Sequence, residues 1–263
     1  MLEKAISLMY HDVVEPGQWD ASGRVGPGAA KYKIDSNEFV KHLQAVARVR
    51  SDSPVLATAL TSVPRPSTAP LLLTFDDGGR GACQTADLLE SQGWRGHFFI
   101  TVGDLGGSRF LSHSQVRDLS SRGHAVGSHT YSHPELLSGL SSGAILEEWK
   151  RSTTALSDLI GEQVTTGSVP GGFTSRRVYR AAAEAGITIL FTSEPTVRCR
   201  WAEGCTVLGR YTVVRGTSAR HVARLALARP APCARQYIAW NLKKAGKLAG
   251  GQYYVKFRRL VTS

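Results

Sequence analysis

The chain of 263 residues has no aspartate or glutamate anywhere in residues 206–263, against 12 lysines and arginines there. The preceding 205 residues hold 20 basic and 21 acidic side chains. The net charge of +11 therefore belongs to the C-terminal fifth, not to the body. That distribution argues against a nucleic-acid-wrapping surface over the whole chain. The basic end also lacks the aromatic–basic interleaving of a base-stacking platform, so nucleic acid is not an expected partner. Cysteine is scarce. Cys83, Cys199, Cys205 and Cys233 form no C-x-x-C pair, which removes the common zinc-ribbon and thiol-redox signatures. Cys199 and Cys205 flank a loop and are spaced to bridge, but four free thiols are the expectation. No apolar run approaches the roughly 18 residues of a membrane span. The opening run Met1-Leu2-Glu3-Lys4-Ala5-Ile6-Ser7-Leu8-Met9-Tyr10-His11 is too short and too polar for a secretory leader. The expected location is the cytoplasm. Internal repeats and low-complexity tracts are absent.

What is present is an apolar content of 42%, enough for a true core. The length suits one β/α barrel domain, a class that runs to about 250 residues. Short runs rich in Leu, Ile, Val and Phe read as strands buried on both faces, at 5–10, 70–75, 95–102, 124–128, 165–169, 187–192 and 206–214. Helix signals fall between them. Asp35 with Glu38 and Ser112 with Gln115 have capping-box spacing, and Gly123 stands where a helix ends. Residues 147–160 read as an amphipathic helix, and Thr174 as the cap of a helix that ends at Gly186. Strand–helix alternation means a parallel sheet with right-handed crossovers. The expected architecture is α/β, a distorted (β/α) barrel of about seven parallel strands in a single domain. Residues 1–215 form the barrel, and residues 216–263 a basic helical segment packed on it or extending from it. The Gly- and Pro-rich loop at 16–31 follows His11 directly and reads as a lid. The loop at 61–70 is likewise too irregular for a tight turn.

Polar residues interrupt the apolar runs at one consistent place. Leu71-Leu72-Leu73-Thr74-Phe75 ends in Asp76-Asp77-Gly78-Gly79, and His124-Ala125-Val126-Gly127-Ser128 in His129-Thr130-Tyr131-Ser132-His133-Pro134. Ser7-Leu8-Met9-Tyr10 ends in His11-Asp12, and Ser168-Val169 in Pro170-Gly171-Gly172. Each is the C-terminal end of an expected strand, and in a parallel barrel those ends meet on one face. One carboxylate and two imidazoles can hold a metal on one side and leave positions open for water and substrate. Pro134 disfavours helix at His133, which belongs on a turn. A second carboxylate can take a proton from water, and a free imidazole can protonate a leaving group. That set suits hydrolysis of an amide or ester. His42, His97, His113, His124 and His221 are read as solvated or capping residues. Of the tryptophans only Trp201 falls near the expected mouth.

Thr74-Phe75-Asp76-Asp77-Gly78 followed by Ser128-His129-Thr130-Tyr131-Ser132-His133 resembles the polysaccharide deacetylases of carbohydrate esterase family four. Phe98-Phe99-Ile100, Gly123-His124-Ala125-Val126-Gly127 and the Pro170-Gly171-Gly172 turn fit as well, so the resemblance covers residues 5–215. It implies a divalent metal, usually zinc, held by Asp77, His129 and His133. It implies Asp76 as general base and the Gly171 N–H, in the turn with Pro170 and Gly172, at the oxyanion. Two departures stand out. The family's base-orienting Arg is replaced by Ser168, leaving Arg210 and Arg176 as candidates for its role. The late Leu-x-His motif is missing. Tyr10-His11-Asp12 resembles the first strand of exopolysaccharide-type deacetylases, whose His serves as the acid, so His11 takes that role. The activity implied is removal of N-acetyl groups from an amino-sugar polysaccharide or glycan intermediate. The alternatives are a small-amide hydrolase of deformylase or imidase type and a catalytically weak glycan-binding barrel. In the basic end, Ile238, Leu242, Ala245 and Ala249 recur at helical spacing beside Arg235, Lys243, Lys244 and Lys247. It reads as a solvated helix or as a peripheral contact with anionic membrane lipid or a lipid-linked glycan.

Overall fold

A computed structural model of the protein describes residues 3–61, 68–242 and 244. The first apolar run forms β1 (Ile6–Tyr10), with all five side chains buried. Past His11, β2 (Asp12–Val14) pairs in parallel with β3 (Lys33–Asp35) in a small sheet of its own. The connection between them contains one short helical turn, α1 (Pro27–Ala30). α2 (Ser36–Val49) follows, capped by Asp35, whose side chain accepts from the N–H groups of Asn37 and Glu38. Strands and helices then alternate as β4 (Leu71–Phe75), α3 (Ala82–Glu90), β5 (His97–Ile100), α4 (His113–Ser121), β6 (Ala125–Ser128), α5 (Ser142–Ile160), β7 (Thr166–Ser168), α6 (Arg176–Glu184) and β8 (Ile189–Phe191). The last elements are β9 (Arg200–Ala202), β10 (Cys205–Leu208), β11 (Tyr211–Thr212) and α7 (Ala219–Ala226). Residues 230–242 are also helical.

β1, β4, β5, β6, β7, β8 and β10 lie side by side in that order, all parallel, with β11 outside β1 and an antiparallel β9 outside β10. Only Gly209 and Arg210 separate β10 from β11. Yet β10 pairs with β8 and β11 pairs with β1, so one chain segment belongs to both ends of the sheet. Below it the Ala5 N–H donates to the Val197 carbonyl and the Cys199 N–H to that of Glu3. The sheet is thereby curled into the expected distorted barrel, its seven units matching the seven apolar runs. Helices cover the outside. α5 buries Trp149 and Leu156, and α7 buries Val222, Leu225 and Ala226 while lying against α2. Each such Leu or Val is worth about 1.5–3 kcal/mol of burial.

Local differences from the expectation have local causes. Ser141 caps α5 by accepting from the Ala144 N–H, so the helix begins five residues before Glu147. Ser175, not Thr174, caps α6. The Ser112–Gln115 capping box is complete, and Gly123 closes its helix at φ +83°. β2 and β3 are three residues each, too short for a period to register. All four cysteines are free thiols. Residues 62–67 of the second loop lie outside the described residues, as do Lys243, Ala245, Lys247 and Ala249 of the basic end. Among the described residues no helix is long and apolar enough to cross a membrane.

Candidate active site

β4 delivers Asp76 and Asp77 to the C-terminal face of the barrel. The Asp76 N–H still bonds to the Tyr10 carbonyl at 3.1 Å. Asp77 and Gly78 then both take left-handed backbone, φ +78° and +77°, which turns the chain sharply. β6 delivers His129, whose N–H bonds to the Ile100 carbonyl at 2.9 Å. Its Nδ1–H donates to the Ser168 carbonyl at 2.9 Å, which leaves the Nε2 lone pair free to face Asp77. His133 stands on a turn rather than a helix, with φ +54°. His129 Nε2 and His133 Nε2 lie 3.6 and 3.4 Å from Asp77 Oδ1. One ligand atom from each of the three residues falls within 4.8 Å of the others. Burial and the neighbouring His129 push the His133 imidazole down to about 3, so it is a neutral donor at pH 7. Asp77 is ionised. Burial works against its charge, but positive charge facing it, from His11 and from Arg24, holds it below the ordinary carboxylate range.

Asp76 faces a different partner. Arg210, fully buried at the break between β10 and β11, donates to Asp76 Oδ1 at 2.7 Å and to Oδ2 at 2.9 Å. The same guanidinium reaches Ser168 Oγ (2.8 Å), Thr74 Oγ1 (3.2 Å) and the Thr192 carbonyl (3.1 Å). Ser168 donates in turn to Asp76 Oδ2 at 3.2 Å. Burial alone would raise the Asp76 carboxyl, but the Arg210 guanidinium outweighs it and holds it far below its usual range. Of the two candidates for the missing cation, Arg210 is the one at the base. Arg176 is exposed and pairs with Glu203 instead. Ser168, which reads as a departure in the sequence, is a working member of this network.

His11 shares a small cleft with Asp77, Arg24, Tyr32 and Lys33. Its ring lies against Tyr32, with centroids 4.4 Å apart and planes at 32°. Its buried Nδ1 has no hydrogen-bond partner among the described residues. Burial lowers its pKa, opposed by the charges of Asp77 and Asp76. The loop after β2 does lie over this edge of the site. Arg24 Nη2 donates to Asp104 at 2.7 Å, and its Nε is 3.6 Å from Asp77 Oδ1. A buried strut anchors the loop: Ser22 Oγ donates to Asp12 Oδ1 at 2.9 Å, and Lys33 Nζ donates to the carbonyls of Trp19 and Ser22, both at 2.5 Å. Burial pushes the Asp12 carboxyl up to about 7, against the pull of Ser22 and Lys33. Arg24, Tyr32, Ser22 and Lys33 escape the sequence reading. Their only signal is a Gly-rich loop placed directly after a Tyr-His-Asp strand.

Pro170, Gly171 and Gly172 form a turn just beyond the β7 residue whose carbonyl holds His129. Gly171 and Gly172 have φ +63° and +70°, a conformation that side chains resist. A Cβ on Gly172 would sit 2.9 Å from Ser193 Oγ. Other histidines correct the expectation of solvated residues. His42, His97 and His124 are buried and hydrogen-bonded to Thr217 O, Leu73 O and Glu90 respectively. Trp201 is exposed, but it pairs with Thr206 in the N-terminal half of β10, away from the strand ends that carry the site.

Residues 64–190 match the family model described as polysaccharide deacetylase. The Bacillus subtilis (strain 168) protein YxkH, named for the same family, is 29% identical over 215 residues, 80% of this chain and 72% of its own. A chitin deacetylase from Pestalotiopsis sp is 34% identical over 117 residues, 44% of this chain and 38% of its own. Two solved structures share the fold. The Streptococcus pyogenes deacetylase PplD, in complex with acetate, has a TM-score of 0.72 at 19% identity, covering 88% of this chain and 100% of that one. IcaB from Ammonifex degensii has a TM-score of 0.69 at 22% identity, covering 85% and 97%. Over residues 64–190 the chain matches the polysaccharide deacetylases, and the fold around that stretch is shared with solved deacetylases.

Proposed function

We propose that the protein is a metal-dependent hydrolase that removes N-acetyl groups from an amino-sugar polysaccharide or glycan intermediate. The observation that carries this reading is the convergence of Asp77, His129 and His133 beside the Arg210-held carboxylate of Asp76. The donor set fits a divalent ion, zinc first. It offers one carboxylate oxygen, Asp77 Oδ1, buried without a hydrogen-bond partner among the described residues, and two imidazole nitrogens turned toward it. A divalent ion held there supplies Lewis acidity, lowering the pKa of water and polarising the acetamide carbonyl. Asp76 accepts the proton of the attacking water, kept ionised and in plane by the Arg210 fork. The Gly171 N–H, presented by the Pro170–Gly172 turn, donates to the carbonyl oxygen as it becomes negative. His11 gives a proton to the departing amine as the C–N bond breaks. It must be protonated in the working state, and the two aspartates favour that form. The products are acetate and a free amino sugar. The relative named for deacetylating chitin supports an N-acetylated substrate.

Acetate release from N-acetylated oligosaccharides tests this. Activity should vanish on chelation and in Asp76→Asn, and return when the metal is restored to the wild type. Full activity of metal-free protein would overturn it. Hydrolysis confined to formyl or imide compounds would move the chain to the small-amide class.

We propose in addition that the basic end meets an anionic membrane surface on the cytoplasmic side, where a lipid-linked glycan would lie. Tyr237, Ile238 and Leu242 are 48, 58 and 70% exposed on the helix of residues 230–242. Arg224, Arg229, Arg235 and Lys244 are exposed with them. Binding to anionic vesicles should fall in Ile238→Asp/Leu242→Asp; equal binding by both proteins would remove the idea.

A further inference from the structure

The loop that joins His129 to His133 holds two non-glycine residues in left-handed backbone, Thr130 at φ +65° and His133 at φ +54°. Each such residue is strained and persists only where the surroundings fix it. Much of that fixing comes from one face of α5. Glu148, Arg151 and Ser152 fall at i, i+3 and i+4, which brings them to the same side of the helix. Glu148 Oε2 accepts from the consecutive N–H groups of Tyr131 and Ser132 at 3.0 and 2.8 Å, and its Oε1 from the Ser132 hydroxyl at 2.6 Å. The Arg151 guanidinium lies 3.7 Å from the centre of the Tyr131 ring. Ser152 Oγ accepts from Ser128 Oγ at 2.7 Å, and Ser128 Oγ accepts from the Thr130 N–H at 3.1 Å. The loop is closed on itself by the His133 N–H donating to Thr130 Oγ1 at 3.2 Å.

We infer that Glu148 is a positioning residue of the metal site. Its carboxylate gathers two backbone donors and a hydroxyl, and so sets the spacing and direction of the His129 and His133 imidazoles before any ion arrives. The inference rests on the reading of Asp77, His129 and His133 as ligands, and it concerns how tightly the ion is held rather than the proton transfers. Groups that orient ligands in this way typically carry about 10–100-fold of metal affinity.

The test compares wild type, Glu148→Ala and Glu148→Gln of the full chain. Zinc affinity is read by chelator competition, and the unfolding midpoint in urea by the metal-free proteins. Glu148→Ala should bind zinc about 10–100-fold more weakly, with a loss that exceeds what any shift in the metal-free midpoint accounts for. Glu148→Gln, whose single amide oxygen still accepts from the backbone, should recover most of the affinity. Wild-type affinity in Glu148→Ala overturns the inference, as does a loss matched in full by reduced stability of the metal-free fold. Amide exchange at Tyr131 and Ser132 in metal-free wild type is a readout that needs no variant. Both amides should be protected, and free exchange would overturn the inference. A wild type that binds no zinc at all would instead sink the metal reading itself.

Discussion

Removing the Arg210 guanidinium is the perturbation whose consequences the structure specifies most fully. Arg210 is completely buried and Asp76 is 4% exposed. In Arg210→Ala the carboxylate keeps a hydrogen bond from Ser168 and loses both donors of the fork. Breaking a buried pair from one side costs about 3–5 kcal/mol, because the remaining charge is left without compensation. Against a usual total of about 5–15 kcal/mol, that is a large share. Urea unfolding of metal-free protein at pH 7 should show the midpoint dropping accordingly. Asp76→Asn/Arg210→Ala should then recover part of the loss, since no buried charge remains, and the cycle should give a coupling of about 2–3 kcal/mol. Arg210→Lys should not rescue, because an ammonium cannot span both carboxylate oxygens while reaching Ser168, Thr74 and Thr192. Effects of the two single changes that simply add, within about 0.5 kcal/mol, would refute the reasoning.

Smaller changes test neighbouring points. His97 is buried with Nδ1–H donating to Leu73 O and Nε2 accepting from the Ala57 N–H, and burial lowers it to about 4. The unfolded chain therefore takes up a proton near pH 6.5 that the native state refuses. Stability present above pH 6.5 should be lost as pH falls toward 4, by about 3 kcal/mol at most. His42 and His124 are lowered too, so the His97 share is the difference between wild type and His97→Gln in the slope of unfolding free energy against pH. An identical slope would exclude it. Ser168→Ala should cost about 1 kcal/mol in urea unfolding while leaving Arg210 on Asp76; no change would mean the hydroxyl is idle. Gly81→Ala would drive a methyl into the Val13 carbonyl and to 2.6 Å from Asp12 Oδ1, and should cost about 1–3 kcal/mol. Gly143→Ala, in the first turn of α5 where an added Cβ meets nothing within 4 Å among the described residues, should raise the thermal midpoint, by about 0.5–1 kcal/mol of stability.

The strands were legible because a strand buried on both faces announces itself as a bare apolar run, and all seven runs became barrel strands. The carboxylates and imidazoles were legible because each interrupts such a run at the same end. Arg210 stood in plain view, a lone cation inside Val-Leu-Gly-Arg-Tyr-Thr-Val-Val, but its partner is 134 positions away and nothing local names it. The same holds for Lys33 under the loop and Glu148 beside the histidines, whose meaning comes from backbone groups that sequence does not display. Arg176 and Trp201 were attractive by chemistry alone, and the fold carries both away from the face where the chemistry lies.

The segment shared by both ends of the sheet has a consequence for synthesis. Asp76 enters the barrel wall early, yet the cation that makes its burial tolerable is made about 130 residues later, at the point where the sheet joins β1. Until residue 210 has left the ribosome, the native arrangement of the first strands contains an uncompensated interior charge. Completion of the wall and pairing of the base are thus supplied by one segment of the chain. A chain ending before β10 would lack both.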